Sequence, residues 1–342
     1  MIQTVLGLIE NEKITAALPH EHVLSDLRPI VEPIDNGIFY DKVSLSNYGE
    51  LARNPYAVLD NAVLDDKEAA IDEFKTLYEQ GINLVADVTT FGRNKDYVQF
   101  LKEFSLKTGV HIVCGCGSYI DASVSEDFKS KSVSEMRKII INDLTKGMEG
   151  TDIKAGVIGE IGSSKKITEA EYKFLQAAAE AQNETGFGMH IHACLFNREG
   201  LNALDFAVKC GANTEKICID HIDVLLDEEY IMGILERGAY AEFDDFGKEY
   251  YVDRRNRNLL EGSFARDTER VKFIKKLIER GFLKQILITN DICLKSMLHK
   301  YGGWGYEHIP RNIVPMMEDF GIDKKNIETI IRDNPIRFLE RG

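Results

Sequence analysis

The chain has 342 residues, 44% of them hydrophobic and 29% charged, which excludes a disordered protein and is enough for one large domain or two ordinary ones. A formal charge of -14 argues against a nucleic-acid partner, because binding a phosphate backbone needs clustered Lys and Arg. No apolar run approaches the ~20 residues of a membrane-spanning helix, and the first residues lack a basic region followed by an apolar one, so the expectation is a cytoplasmic protein without a membrane partner.

Taken in order, residues 3–9 and 13–14 flank Glu10-Asn11-Glu12 and predict a small hairpin at the N-terminus. A first strand over 15–19 runs into Pro19-His20-Glu21-His22. Further short runs, β-branched or otherwise apolar, predict strands over 83–88, 111–116, 155–159, 189–192, 217–220, 240–243 and 285–289. Amphipathic stretches over 66–79, 134–146, 169–185, 201–209, 228–237 and 267–280 predict helices between them. Gly81, Gly186, Gly211, Gly238 and Gly281 stand where C-caps belong. Eight alternating units predict an α/β fold, a (β/α)8 TIM barrel with a small N-terminal β-hairpin, over 1–342 as one domain. A doubly wound sheet is disfavoured, because no Gly-x-Gly-x-x-Gly turn follows an early strand. Residues 28–60 are too long and irregular for a simple connection, and long βα loops are often functional.

Of the six cysteines, most lie in apolar segments, where they act as small hydrophobes. Cys114-Gly115-Cys116 lacks the spacing and the second pair of a zinc thiolate site. The metal-binding signal lies elsewhere. On a strand, His20 and His22 face the same way about 7 Å apart. In a barrel of this kind the site lies at the C-terminal ends of the strands. There the sequence has His20 and His22 after strand one, Gly159-Glu160-Ile161-Gly162 after strand four, and His190 and His192 on strand five. Asp220-His221 closes strand six and Thr289-Asn290-Asp291 closes strand eight. Four imidazoles and two carboxylates exceed what one catalytic zinc needs, and two divalent cations bridged by a carboxylate use them all. Glu160 is the natural bridge, with glycines that leave room for metal on either flank. An ion pair with a basic side chain stays open for Glu160, as does helix capping for Asp291. His192 is chosen over His190 as the ligand nearer the strand's end; His190 reads as packed or supporting, and His111 as structural.

These motifs, with 87–94, Gly302-Gly303-Trp304-Gly305-Tyr306 and Asp333-Asn334-Pro335, resemble the phosphotriesterase family of the amidohydrolase superfamily along essentially the whole chain. The resemblance implies a metal-dependent hydrolase with two divalent cations, zinc first, with Mn, Co or Ni suited to the same ligands. It implies that His20, His22 and Asp291 bind the buried metal and His192 and His221 the exposed one. Many relatives bridge with a carboxylated lysine; Glu160 at that position looks like the glutamate branch. Water acidified by two cations would attack the substrate, Asp291 would act as general base, and Asp223 would relay the proton.

Substrate residues belong to the loops. The segment 244–257 after strand seven is dense in cations and tyrosines, among them Lys248, Tyr251, Arg254 and Arg255, and Arg28, Arg93 and Lys295 follow other strands. Phosphate recognition uses such groups. The expected small-molecule substrate is therefore a phosphorylated sugar lactone, with an uncharged lactone as the alternative. The sequence leaves the oligomer open, a homodimer included.

Overall fold

The computed structural model describes residues 1–31, 42–252 and 262–341. Its centre is eight strands, each hydrogen-bonded in parallel to the next: β1 (Ala17–Glu21), β2 (Leu84–Asp87), β3 (His111–Cys116), β4 (Val157–Gly162), β5 (Met189–His192), β6 (Ile217–Ile219), β7 (Tyr240–Phe243) and β8 (Ile286–Ile288). Helices pack outside: α1 (Lys67–Glu79), α2 (Lys95–Thr108), α3 (Val133–Thr145), α4 (Glu169–Thr185), α5 (Glu199–Lys209), α6 (Glu228–Glu236) and α7 (Asp267–Glu279). This is the (β/α)8 barrel expected.

At five of these seven helices a short polar side chain stops the loop and starts the helix by accepting otherwise unpaired N–H groups. Asp66 accepts from the amide of Ala69, Asn94 from Tyr97 and Asp227 from Tyr230, while Ser132 with Glu135 and Thr168 with Glu171 form capping boxes.

The hairpin exists but is shifted. Ile2–Thr4 pairs with Gly7–Ile9 around a tight turn at Val5 and Leu6, and 11–13 form a separate 3-10 turn. The expectation centred on Glu10-Asn11-Glu12 overlooked that Gly7, at φ +109°, is the residue that permits the reversal. Ile2, Ile9, Phe338 and Leu339 join Leu84, Val113, Val157 and Leu287 in one apolar cluster that fills the barrel's lower end. The larger cluster lies between the sheet and its helices.

Strict alternation breaks on two strands. On β1, Ala17 belongs to the inner cluster and Leu18 to the outer one, and the register with β2 shifts between Leu18 and Glu21. On β4, Val157 is inner and Ile158 outer, and the register with β5 shifts between Ile158 and Ile161. Such irregularities re-aim side chains and gather near active sites. Here they turn His20 and Glu160 inward. Among the described residues no helix is long and apolar enough to cross a membrane, and no disulfide joins the cysteines.

Candidate metal centre and active site

The six expected ligands meet at the C-terminal mouth of the barrel. Glu160 is central: its Oε1 lies 3.1 Å from His192 Nδ1, 3.1 Å from His221 Nε2 and 3.7 Å from His20 Nε2, and its Oε2 lies 3.5 Å from His22 Nε2. Asp291 Oδ1 lies 3.1 Å from His22 Nε2 and 3.6 Å from His20 Nε2. The nitrogens of His192 and His221 face each other at 2.8 Å. All but His192 are nearly fully buried.

The glycines around Glu160 do not make room for metal, as expected, but for backbone. A Cβ on Gly159 would stand 2.5 Å from His190 O, and one on Gly162 would stand 2.2 Å from Ile120 N. They let β4 lie unusually close to its neighbours and so set the height of Glu160.

Two of the candidate ligands occupy left-handed backbone, which disfavours any side chain but is recurrent where a site over-determines it. His221 has φ +59° and Asp291 φ +46°. Asp244 holds the first, accepting from the amide of His221 at 3.1 and 2.9 Å. Glu21, between the two histidines, holds the second. It accepts from the amides of Asn290 at 2.9 Å and Ile292 at 2.8 Å, on either side of Asp291, and from Thr289 Oγ1 at 2.7 Å.

The donor set suits divalent cations. His20 Nε2 and Asp291 Oδ1 are buried, aimed into the cluster and without a hydrogen-bond partner, which is costly unless a cation completes them. His20, Glu160 and His221 form one group able to hold a metal, and His20, His22 and Asp291 another. Burial alone would lower the His20 imidazole, yet Glu160 and Glu242 hold it well above its usual range. Burial would raise Glu160, and His20, His192 and His221 hold it well below. Positive charge at this point is favoured strongly.

Sequence reasoning passed over three acids on and after β7. Glu242 lies 3.0 Å from His20 Nδ1, Asp244 Oδ2 lies 3.0 Å from His221 Nδ1, and Asp245 pairs with Lys248 at 3.0 Å. The signal was there: Tyr240, Glu242 and Asp244 share one face by the period of two. Asp223, expected to relay the proton, is ion-paired at 2.7 Å to Arg270 and accepts from the Asp245 amide; Asp244 has the contact with His221.

The expected phosphate cradle is not assembled by the described residues. Arg28 forks onto Asp26 on the exposed rim. Arg93 is buried behind the sheet on Asp143 and Gly115. Lys295 pairs with Asp60 at 2.9 Å and Asp65 at 3.0 Å, and Tyr251 lies 45% exposed under Arg53. Arg254 and Arg255 lie outside the described residues. Among the described residues of this set, Lys248 alone reaches the centre, contacting Asp291. Burial would lower its pKa, but Asp245 and Asp291 raise it, so it stays charged. Above this cluster opens a small cavity of about 90 Å³ walled by Leu27, Ile30, Leu195, Leu294 and the rings of Tyr56, Phe91, Tyr119, Tyr250 and Phe264.

Comparison with known proteins fits this geometry. The sequence model of the phosphotriesterase family matches residues 1–339. The chain belongs to the phosphotriesterase family. It is therefore a metal-dependent hydrolase of a family whose centres are binuclear. Within the family it is 34% identical over 345 residues to a protein of Danio rerio named N-acetyltaurine hydrolase, covering 99% of this chain and 97% of that one. A resiniferatoxin-binding protein from Rhodobacter sphaeroides superposes with a TM-score of 0.93 at 30% identity, over 100% of this chain and 96% of that chain. A variant of a phosphotriesterase-like lactonase from Deinococcus radiodurans superposes with a TM-score of 0.76 at 25% identity, over 99% and 100%.

Proposed function

We propose that this family member hydrolyses the acyl bond of a small acyl compound carrying one negative charge, an N-acetyl amino sulfonate or carboxylate before a phosphorylated lactone. The observation that carries this is the wall above the ligands: mostly apolar side chains and rings, with a single ammonium group, Lys248, among the described residues, beside the carboxylate of Asp245. A phosphate on a sugar calls for several forked donors. A short acyl group with one anionic end calls for an apolar slot and one fixed cation. The whole-length likeness to a named N-acetyltaurine hydrolase supports the same class.

His20, His22, Glu160, His192, His221 and Asp291 would hold two divalent cations, zinc first among the candidates. The chemistry such cations supply is Lewis acidity, toward water, whose pKa falls from 15.7 to about 7, and toward the acyl oxygen. Asp291 Oδ1, buried and unpartnered, takes the proton of the attacking water and returns it to the departing amine, which leaves as a neutral group. Lys248 meets the anionic end and keeps Asp291 oriented. The rings of Tyr119 and Phe91, stacked at 5.0 Å, exclude solvent beside His192.

The lactonase likeness supports a second reading, an uncharged lactone, in which the same residues open a ring ester. A substrate panel on zinc- and manganese-loaded protein separates them. N-acetyltaurine is expected to exceed N-acetylethylamine, γ-lactones and a phosphorylated sugar lactone in kcat/KM by at least ~10-fold, the value of one well-placed contact. Higher turnover of the phosphorylated lactone, or no penalty for removing the sulfonate, overturns the proposal.

A further inference from the structure

Beneath the ligands, inside the barrel, lies a polar cluster that the hydrolytic chemistry does not use. His190, Asp220 and Glu242 are wholly buried, at a height where barrels are commonly filled by branched apolar residues. His190 Nδ1 lies 2.9 Å from Asp220 Oδ1 and 3.3 Å from Glu242 Oε2, and the same Glu242 oxygen lies 3.0 Å from His20 Nδ1. Below, the ring of Phe338 meets His190 edge-on at 4.8 Å.

An imidazole binds a metal through one nitrogen only if the other carries the hydrogen, and the partner of that hydrogen decides which nitrogen is free. Glu242 offers His20 Nδ1 only an acceptor. The free electron pair of His20 is then on Nε2, which is buried, lacks a hydrogen-bond partner and points at Glu160 and Asp291. His22 is held differently: its Nδ1 lies 2.8 Å from Thr89 Oγ1, a neutral hydroxyl. A carboxylate makes the opposite nitrogen a stronger donor than a hydroxyl does.

We propose that Glu242 is a positioning residue for the metal centre, fixing His20 as the tautomer with hydrogen on Nδ1, and that His190 and Asp220 lock Glu242 in that place. This rests on the binuclear reading of the site but not on any substrate. Wild-type protein that takes up no metal would defeat that reading; wild-type protein that binds two ions while the variants bind equally well defeats only this one.

The test uses zinc and cobalt with the full chain. Chelator competition on Glu242→Gln is expected to show one of the two ions held ~10- to 100-fold more weakly, the usual loss when an outer partner of a ligand is removed. The other ion, the Tm of the metal-stripped protein and the far-ultraviolet spectrum stay near wild type, and the cobalt absorption bands shift. Thr89→Val, removing the weaker partner, costs less than Glu242→Gln. Unchanged affinity in Glu242→Gln, or loss of both ions in step with the Tm of the stripped protein, overturns the proposal. Long-range proton–nitrogen NMR of zinc-loaded wild type, with His20 assigned by its loss in His20→Asn, needs no Glu242 variant. Hydrogen on Nδ1 of His20 is expected; hydrogen on Nε2 overturns the assignment.

Discussion

The barrel interior has two storeys, and they differ in everything but backbone. The lower is apolar, with Leu84, Val113, Val157 and Leu287 closed from below by Ile2 and Phe338. Two residues further along the same strands the lining changes: Cys218 gives way to Asp220, Tyr240 to Glu242, and Leu287 to Thr289. The lower storey gains free energy from burial, about 25 cal/mol for each Å² removed from water. The upper one loses it, because each ion taken from water costs several kcal/mol that only pairing or a bound cation offsets. A single step of the strand period therefore separates what holds the fold from what the fold holds.

The contrast breaks hardest at Asp291. Asp291→Asn is expected to lower kcat by ~10³-fold, within the range that a positioned proton acceptor contributes. The Tm of metal-stripped protein should not fall. Near-normal turnover would remove Asp291 from the chemistry. On the lower storey, Phe338→Ala is expected to cost ~3–5 kcal/mol in urea denaturation, as large-to-small core changes do. The metal content of the folded protein should be unaltered, and loss of an ion at full folding would show that the storeys are not separable.

Glu73 sharpens the comparison from outside the barrel. It is buried, accepts from the His299 amide at 2.8 Å and, through burial and the nearby Glu307, is pushed up to about 8. Glu160, equally buried among imidazoles, moves the other way. Between about 4.5, where the unfolded chain loses this proton, and about 8, where the folded chain does, stability falls as pH rises. Glu73→Gln should remove that part of the slope, giving the variant ~1–3 kcal/mol over wild type at pH 8.5 relative to pH 5, read from urea midpoints. Identical slopes would place the ionised carboxylate in water. The smallest effect belongs to Lys248→Met, with an expected ~10-fold rise in KM for a sulfonate-bearing substrate, about 1.4 kcal/mol. An equal rise for the neutral analogue would assign Lys248 to Asp291 alone.

The clustering of the six candidate ligands was legible in the sequence because their placement is local. Spacing by two on a strand, and position at a strand's end, are properties of a few consecutive residues, and His20, His22, Glu160, His192, His221 and Asp291 all carry them. The described residues do not assemble the phosphate cradle because a cation's partner is not local. Arg93 is answered by Asp143, and Lys295 by Asp60, 235 residues away. Glu242 went unseen for a third reason: the period of two puts it on one face with Tyr240 and Asp244, but that this face lies under His20 is decided by the closing of the barrel. The shifts on β1 and β4 were hidden too, since pairing with an adjacent strand, and not composition, creates them.

Glu21 has a consequence for how the protein is made. Its carboxylate joins the end of the first strand to the end of the last, and the candidate site gathers residues 20, 22 and 291. A nascent chain emerges N-terminus first, so its two leading histidines wait through most of translation for Asp291. The seam of the barrel and the candidate pocket are therefore built by the same contacts, between the two ends of one chain.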